Sequence, residues 1–359
     1  MSDHINTLLT KARPADQAIV WQILQKAIQR RRDDGSNQWQ NGYPNKDTVA
    51  SDIERGIGYL LTLNGQILAY CAILINDEPA YDHIEGNWLS NSHFLVVHRV
   101  AVAEEFLGKG WIKVLFRQIE ELAARLKIGS VKVDTNYDNL AMLSVLEKGG
   151  YAYCGQVYFS GSPRKAFEKI VDHQFVSQPI QIHAITPRLF LREILPEDAA
   201  DMYEMDADPE VHRYMESKPM TSLQEEKEAI DKIRKQYAAY GIGGWAVIDK
   251  LSGACLGWCG LQWHKETMNG RSDFFELAYR FKRKHWGNGY ASEAAGAVIR
   301  YGFQKLRASE IVALNICGNH RSESVLTKLG FVLAQEFQEK GILLHWFALE
   351  EARYRLANP

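Results

Sequence analysis

Phe274-Phe275-Glu276-Leu277-Ala278-Tyr279-Arg280-Phe281, followed shortly by Trp286-Gly287-Asn288-Gly289-Tyr290-Ala291-Ser292-Glu293, is the stretch that decides how this chain folds. The first string is aromatic and apolar, as a largely buried strand requires, while Ala291 to Phe303 carries helix formers with apolar residues at helical spacing. Between strand and helix lies Gly-x-Gly. Glycines let the backbone come close to a ligand, and a helix that begins just beyond them aims unpaired N–H groups and a positive dipole end at that place. An anion, above all a pyrophosphate, suits such a cradle, although a lone Gly-x-Gly is as readily a simple turn.

Working outward, the same programme occurs earlier. Phe94 to Val102 reads as a strand, Gly108-Lys109-Gly110 as the turn and Trp111 to Lys127 as an amphipathic helix. Landmarks in the two halves keep a nearly constant separation: Asp16 to Asp198 is 182, Gly108 to Gly287 is 179, and both Asn139 to Asn319 and Gly150 to Gly330 are 180. Such constancy marks a duplication at domain scale. A length of 359 residues agrees, since ~150 residues per domain is the usual prior. Periodicity lapses around 174–186, with Pro179 inside that stretch and Pro187 just after it, so the expected domains are residues 1–176 and 177–359.

The remaining elements follow from local signals. Pro14-Ala15-Asp16 opens a helix with Ile19, Ile23, Leu24 and Ile28 on one face, and a second short helix over 48–55 takes Thr48 or Asp47 as its N-cap. Asn64-Gly65 between apolar runs predicts a hairpin. Ser130 to Thr135 is a strand, Asn139 to Lys148 a helix stopped by Gly149-Gly150, and Ala152 to Phe159 and Ala166 to Val171 are the last strands of the first half. In the second half Leu189 to Ile194 and Glu310 to Ile316 read as strands, and Leu223 to Tyr240 and Asn319 to Leu329 as helices.

A net charge of −2 gives no general electrostatic reason to expect nucleic-acid or anionic-membrane partners. The start of the chain lacks the basic and apolar segments of a signal peptide, and nowhere do ~20 apolar residues run uninterrupted, which points to a cytoplasmic protein. Five scattered cysteines, mostly in apolar runs, read as small buried hydrophobes, and no second Cys/His pair stands at metal-ligand spacing, so no metal is expected.

Strand, Gly-x-Gly turn, helix, strand, then Asn before an apolar helix ending in Gly-Tyr or Gly-Phe: in both halves this resembles the GNAT superfamily of acyl-CoA-dependent N-acyltransferases, over nearly the whole chain. Arg188-Leu189-Phe190-Leu191-Arg192, Pro196-Glu197-Asp198, Trp286 to Glu293 and Asn319-His320-Arg321-Ser322 resemble the RimJ/RimL-type branch in particular. The resemblance implies an α+β fold of two tandem GNAT-like domains, each a mixed, mostly antiparallel sheet whose central strands splay to admit the arm of acetyl-CoA. It implies that Tyr279, Arg280 and Phe281 bond that arm, that Trp286, Gly287, Asn288, Gly289, Tyr290 and Ala291 bond the pyrophosphate, and that Asn319 contacts the arm. Val100, Val102, Gly108, Lys109, Gly110 and Asn139 are the first-half counterparts. Glu105, Trp111 and Ile112 depart from the family pattern near the first turn and make that domain's cofactor site the divergent one.

Acyl transfer to an amine needs a base, stabilisation of a developing oxyanion and a proton for the leaving thiolate. Glu276, beside the expected gap, is the candidate base, and backbone N–H groups of Ala278 to Arg280 are candidates for the oxyanion. Where the family often has a proton-donating tyrosine stand Leu326 and Leu146; Ser322, three after Asn319, matches a serine of the RimJ/RimL branch and by that resemblance is the substitute donor. His98 is the first-half base candidate, with Asp134 and Tyr158 as further polar residues in apolar strands; Lys109, Lys113, Arg283 and Lys284 are candidates for the phosphates. The expected function is acetyl transfer from acetyl-CoA to a small-molecule amine or a protein N-terminus, with a homodimer left open. The competing readings make the first domain a non-catalytic acyl-CoA-binding or regulatory module, or the chain a tandem transferase of the mycothiol-synthase kind.

Overall fold

In the computed structural model, which describes residues 7–215 and 217–357, contacts divide the chain into two units: Met1–Ile180 with Leu251–Gly253, and Gln181–Lys250 with Ala254–Pro359. The first unit runs β1 (Thr7–Lys11), α1 (Gln17–Asp33), α2 (Lys46–Glu54), β2 (Gly58–Leu63), β3 (Gln66–Ile75), β4 (Glu85–Gly86), β5 (Phe94–Val102), α3 (Trp111–Arg125), β6 (Ser130–Thr135), α4 (Leu140–Lys148), β7 (Ala152–Phe159), β8 (Ser162–Ile170) and α5 (His173–Ser177). The second runs β9 (Ile182–Ile185), β10 (Leu189–Glu193), α6 (Ala199–Asp206), α7 (Leu223–Tyr240), β11 (Gly244–Asp249), β12 (Cys255–His264), β13 (Phe274–Phe281), α8 (Tyr290–Gln304), β14 (Glu310–Ile316), α9 (His320–Lys328), β15 (Val332–Glu339), β16 (Ile342–Glu350) and α10 (Glu351–Ala357).

Each unit holds one 8-stranded mixed sheet, ordered β1-β2-β3-β5-β6-β8-β7-β4 in the first and β9-β10-β11-β12-β13-β14-β16-β15 in the second. The duplication is therefore plain in the topology, with β4 an addition at one end of the first sheet and β9 an addition at the other end of the second. Adjacent strands are antiparallel except for the central pair, β5 with β6 and β13 with β14.

That parallel pair is short and opens into a fork. β13 and β14 share only the rungs Phe275↔Ile311 and Glu276↔Val312, after which β13 stays paired with β12 as far as Phe281↔Gly257 and β14 with β16 as far as Ile316↔Leu344. In the first unit the rungs run from Phe94↔Ser130 to Val97↔Val133 and then stop. Here β5 also bulges, since Ala72 faces His98 while Tyr70 faces Ala101, and Arg99 sits at φ 54. The ladder from β12 to β13 is regular.

Helices cover the sheets with the faces their sequences dictate, with two corrections. The buried face of α1 is Val20, Ile23, Leu24 and Ala27, which follows the i, i+3, i+4, i+7 stripe, and Ile19, one position off that stripe, is 48% exposed. α2 is capped by Asn45, not by Thr48 or Asp47. Asn45 accepts the Thr48 amide at 2.9 Å while the Thr48 hydroxyl accepts the Asn45 amide at 3.2 Å, a reciprocal box that starts the helix earlier. In the second unit Ala294, Ala295, Val298, Ile299 and Phe303 of α8 pack on Leu261, Leu277 and Ile311 of the sheet. Cys71, Cys154, Cys255 and Cys259 are buried thiols and Cys317 is exposed. Among the described residues no helix is long and apolar enough to cross a membrane.

Candidate active site

Side chains alternate across a strand, so Glu276, Ala278 and Arg280 share one face of β13 and Leu277, Tyr279 and Phe281 the other. Leu277 and Phe281 join the core under α8, whereas Arg280 reaches to Asp206 of α6, Nη1 to Oδ1 at 2.6 Å. Glu276 accordingly lies on the α6 side of the sheet, at the last rung before the strands part. Its Oε2 is 2.5 Å from Nε2 of His264, whose ring stacks on Phe274 with centroids 4.8 Å apart and planes at 4°. The Glu276 carboxylate lifts the imidazole pKa above its ordinary value, against the pull of burial. A cavity of about 220 Å³ opens beside this pair, with Gln236, Tyr240, Gln262, Trp263 and His264 in its wall. A carboxylate backed by an imidazole beside a polar cavity can take the proton an amine sheds.

On the other face of β13 the Tyr279 hydroxyl lies 3.0 Å from Ser322 Oγ. Ser322 is in the first turn of α9, where the Asn319 side chain caps the helix by accepting the Ser322 amide at 3.4 Å. Burial pushes the Tyr279 phenol up to about 12, so it keeps its proton through the neutral range. Leu326 is 1% exposed, locked in the core and far from any proton-transfer role. Sequence reasoning named Ser322 and used Tyr279 only for its backbone; strand alternation against α9 is the signal that would have paired the two hydroxyls.

The turn between β13 and α8 is built from left-handed glycines, Gly287 at φ 78 and Gly289 at φ 77, where a Cβ would be strained. Nothing stands within 4 Å of where a Cβ on Gly287 would point, so the cradle is open there. α8 begins with Gly289 as its N-cap, without a capping side chain, and its first-turn amides have no intrahelical acceptor. Trp286 plays a different part from the one its position implies. Its amide donates to the Arg283 carbonyl at 3.1 Å and its indole N–H to the Phe281 carbonyl at 2.7 Å, so it pins the turn to the strand end. The Asn288 side chain likewise donates back to the carbonyls of His285 and Trp286.

A cation borders this cradle that the sequence had given no role. Arg188 donates from Nη1 to the Asn288 carbonyl at 2.8 Å and from Nε to Glu293 at 2.6 Å, with its guanidinium over the Tyr290 ring at 4.5 Å. Arg283 and Lys284, proposed from sequence for the phosphates, are held elsewhere: Arg283 by Asp208 at 3.0 Å and Lys284 by Glu204. Lys284, with Lys282 beside it, drives the Glu204 carboxyl down to about 2.

The profile of the acetyltransferase (GNAT) family matches residues 22–151, and that of an acetyltransferase (GNAT) domain matches residues 188–332. The uncharacterized N-acetyltransferase p20 of Bacillus licheniformis is 33% identical over 173 residues, covering 48% of this chain and 90% of that protein. The chain belongs to the GNAT acetyltransferase family. Protein YkkB of Bacillus subtilis, strain 168, is also 33% identical, over 150 residues that make up 41% of this chain and 83% of YkkB. A crystal structure of a GNAT-family acetyltransferase from Streptococcus agalactiae 2603 is 31% identical, covers 46% of this chain and 95% of its own, and superposes with a TM-score of 0.43. As a GNAT protein the chain is an N-acetyltransferase, and GNAT domains generally use acetyl-CoA.

The first GNAT unit brings its own polar residues to its fork. His98 and Asp134 stand on the two prongs just past the last rung, Nδ1 to Oδ1 at 3.5 Å. Glu78, from the segment after β3, meets His98 Nε2 at 2.8 Å, and Asp134 is also held by Tyr81 at 2.9 Å and Arg164 at 3.0 Å. Tyr158 lies apart from this group, bonded to Glu85 at 2.9 Å near the far edge, because β7 stands outside β8 in the sheet. Gly108 and Gly110 are left-handed at φ 72 and 80, with no atom within 4 Å of either Cβ direction. The Trp111 side chain turns inward, 8% exposed, and Glu105 faces solvent, so neither fills the cradle. Lys109 Nζ donates to the Glu105 carbonyl at 2.8 Å. Val100 lies in the bulge, the Val102 carbonyl accepts from Arg30, and Asn139 caps α4 while its amide donates to Gln38 at 3.2 Å. Leu146, like Leu326, is fully buried.

Proposed function

We propose that the second unit transfers acetyl from acetyl-CoA to a primary amine, on a small molecule or a protein N-terminus, by direct attack. The observation that carries this is Glu276 at the mouth of the fork, paired with His264 in the wall of the cavity. The residues present suit the cofactor. The open turn at Gly287 and the unpartnered first-turn amides of α8 suit its pyrophosphate, with Arg188 at the rim adding positive charge. The edge of β13 over Tyr279 to Phe281, left without a β14 partner, suits its amide-bearing arm.

When bound, acetyl-CoA supplies an acetyl group activated as a thioester. The rest falls to this chain's own side chains. Gln262, Gln236 and Tyr240 orient the acceptor in the cavity; Glu276 accepts its proton, with His264 holding the carboxylate in place. On the opposite face Tyr279, through Ser322, keeps a proton ready for the leaving sulfur. That donor is helpful more than essential, because a thiol of pKa ~8.5 is already a fair leaving group.

The test is thiol release from acetyl-CoA with a panel containing a peptide N-terminus, a polyamine and an aminoglycoside. Glu276→Gln is expected to lower kcat by about 10²- to 10⁴-fold while calorimetric binding of acetyl-CoA persists. Gly289→Glu, which sets bulk and negative charge in the cradle, is expected to remove most turnover. Unchanged turnover in both variants rejects the assignment.

A further inference from the structure

We propose that the first unit is a second acyl-transfer site, with His98 as its base and a small cationic monoamine of apolar body as its acceptor. It goes beyond the second-unit reading and does not depend on it. The fork of the first unit closes at Val97↔Val133, and the next residues outward, His98 and Asp134, stand on its two lips. His98 stands one position further out along its fork than Glu276 does along the other, on the corresponding sheet face, covered by α1 and α2 as that of Glu276 is by α6 and α7.

The chemistry around it is different. The connection between β3 and β5, residues 76–93, is much longer than its second-unit counterpart, residues 265–273, and folds over the sheet to deliver Glu78 and Tyr81. Glu78 bonds His98 Nε2, and the Glu78 carboxyl is held below its usual range, against burial, by that imidazole. Two carboxylates, Glu78 and Asp134, face one guanidinium, Arg164, so the group carries an excess negative charge suited to an ammonium. The rings of Tyr81 and Phe159, with centroids 6.3 and 6.2 Å from that of His98, supply the apolar wall. The side chains of His98 and Glu78 stay 12% and 15% exposed, within reach of a small molecule.

A donor has somewhere to sit as well. The Gly108–Gly110 turn is as open as its twin. Along α3 and α4 a cavity of about 190 Å³ is bordered by Lys113, Arg117 and Lys148, positive charge suited to phosphate; the corresponding second-unit positions near Ser292, Gly296 and Lys328 keep only one cation. In the step itself neutral His98 takes one proton from the acceptor ammonium. The amine nitrogen bonds the acetyl carbon, the carbon–sulfur bond breaks, and the sulfur leaves with the second proton that the nitrogen loses.

The full-length Gly289→Glu chain, with its second cradle blocked, provides the test. Titration calorimetry should still find one acetyl-CoA bound per chain, and the chain should acetylate phenylethylamine. His98→Gln in that background should cut this turnover by about 10²-fold with bound stoichiometry and thermal melt unchanged. Glu78→Gln should raise the KM for phenylethylamine about tenfold and shift the pH profile of its turnover, which a merely structural role would not do. The proposal is overturned if the Gly289→Glu chain binds no acetyl-CoA, or if His98→Gln turns over phenylethylamine as fast as its parent. Failure of the second-unit reading looks different: a Gly289→Glu chain that works on the whole panel at the wild-type rate, with His98→Gln abolishing that work, leaves this proposal standing.

Discussion

Glu226 ends in a carboxyl oxygen with nothing to bond. The residue is 3% exposed, its Oε2 has no hydrogen-bond partner, and burial, helped by the nearby Asp206 carboxylate, pushes its pKa up to about 7. Because folding raises this pKa, the folded state holds the proton more tightly. The fold is unpenalised at acidic pH, and stability falls as pH rises from the ordinary carboxyl range through about 7. Glu226→Gln keeps the shape and removes the charge. Urea unfolding near pH 8 should therefore show the variant more stable than the parent by up to about 3 kcal/mol, with the gap closing near pH 4. His183, stacked on Trp245 at 4.2 Å, works in the opposite direction: burial lowers it to about 4, so it costs stability only as pH falls below the ordinary imidazole range. His183→Phe should flatten that acid limb in the same urea series.

Elements, unlike residues, are held by their ends. The turn before α8 is fixed by the Trp286 indole on the Phe281 carbonyl and by Arg188 between Asn288 and Glu293. Trp286→Phe keeps an aromatic ring, though a smaller one, and deletes the donor; it should weaken acetyl-CoA binding about tenfold by calorimetry while moving the melt little, since one net hydrogen bond is worth ~1 kcal/mol. Most elements of this kind were legible in the sequence. β5, β6, β7, α7 and β14 begin and end where apolar alternation and glycine or asparagine punctuation predict. β4 was not legible, being two residues whose strand character exists only through pairing with β7, and neither was the folded cover of residues 76–93. The same division runs through the candidate site. His98 stood out as a polar residue in an apolar strand, Glu276 by its place beside the expected gap and Ser322 by the family resemblance, whereas His264, Glu78 and Arg188 act through partners on other elements, and only sheet register and loop packing bring them in.

At the scale of the molecule, duplication has preserved a frame and let its fittings diverge. Both sheets fork at the same rung region and both forks end beside an open Gly-x-Gly helix start, yet one carries a glutamate–histidine pair by a polar cavity and the other a histidine between two carboxylates. A ligand that binds only the folded unit stabilises it by about 2.7 kcal/mol at 100 times its Kd. Scanning calorimetry with saturating acetyl-CoA should then raise the melting of each occupied unit by roughly 5–10 °C, and Gly289→Glu should cancel the shift of the second unit alone.

The fork also bears on solubility. An unpaired strand edge normally invites another chain to pair with it and aggregate. In each unit two such edges exist in the middle of the sheet, past Glu276 and Val312 in the second and past Val97 and Val133 in the first, but they face each other inside a wedge whose root is sealed by the remaining rungs. A foreign strand, with side chains on both of its faces, has no room to enter a wedge of this kind. An unbranched chain carrying amides does. The protein can thus keep the backbone donors and acceptors of the fork exposed for recognition without offering them to a foreign strand.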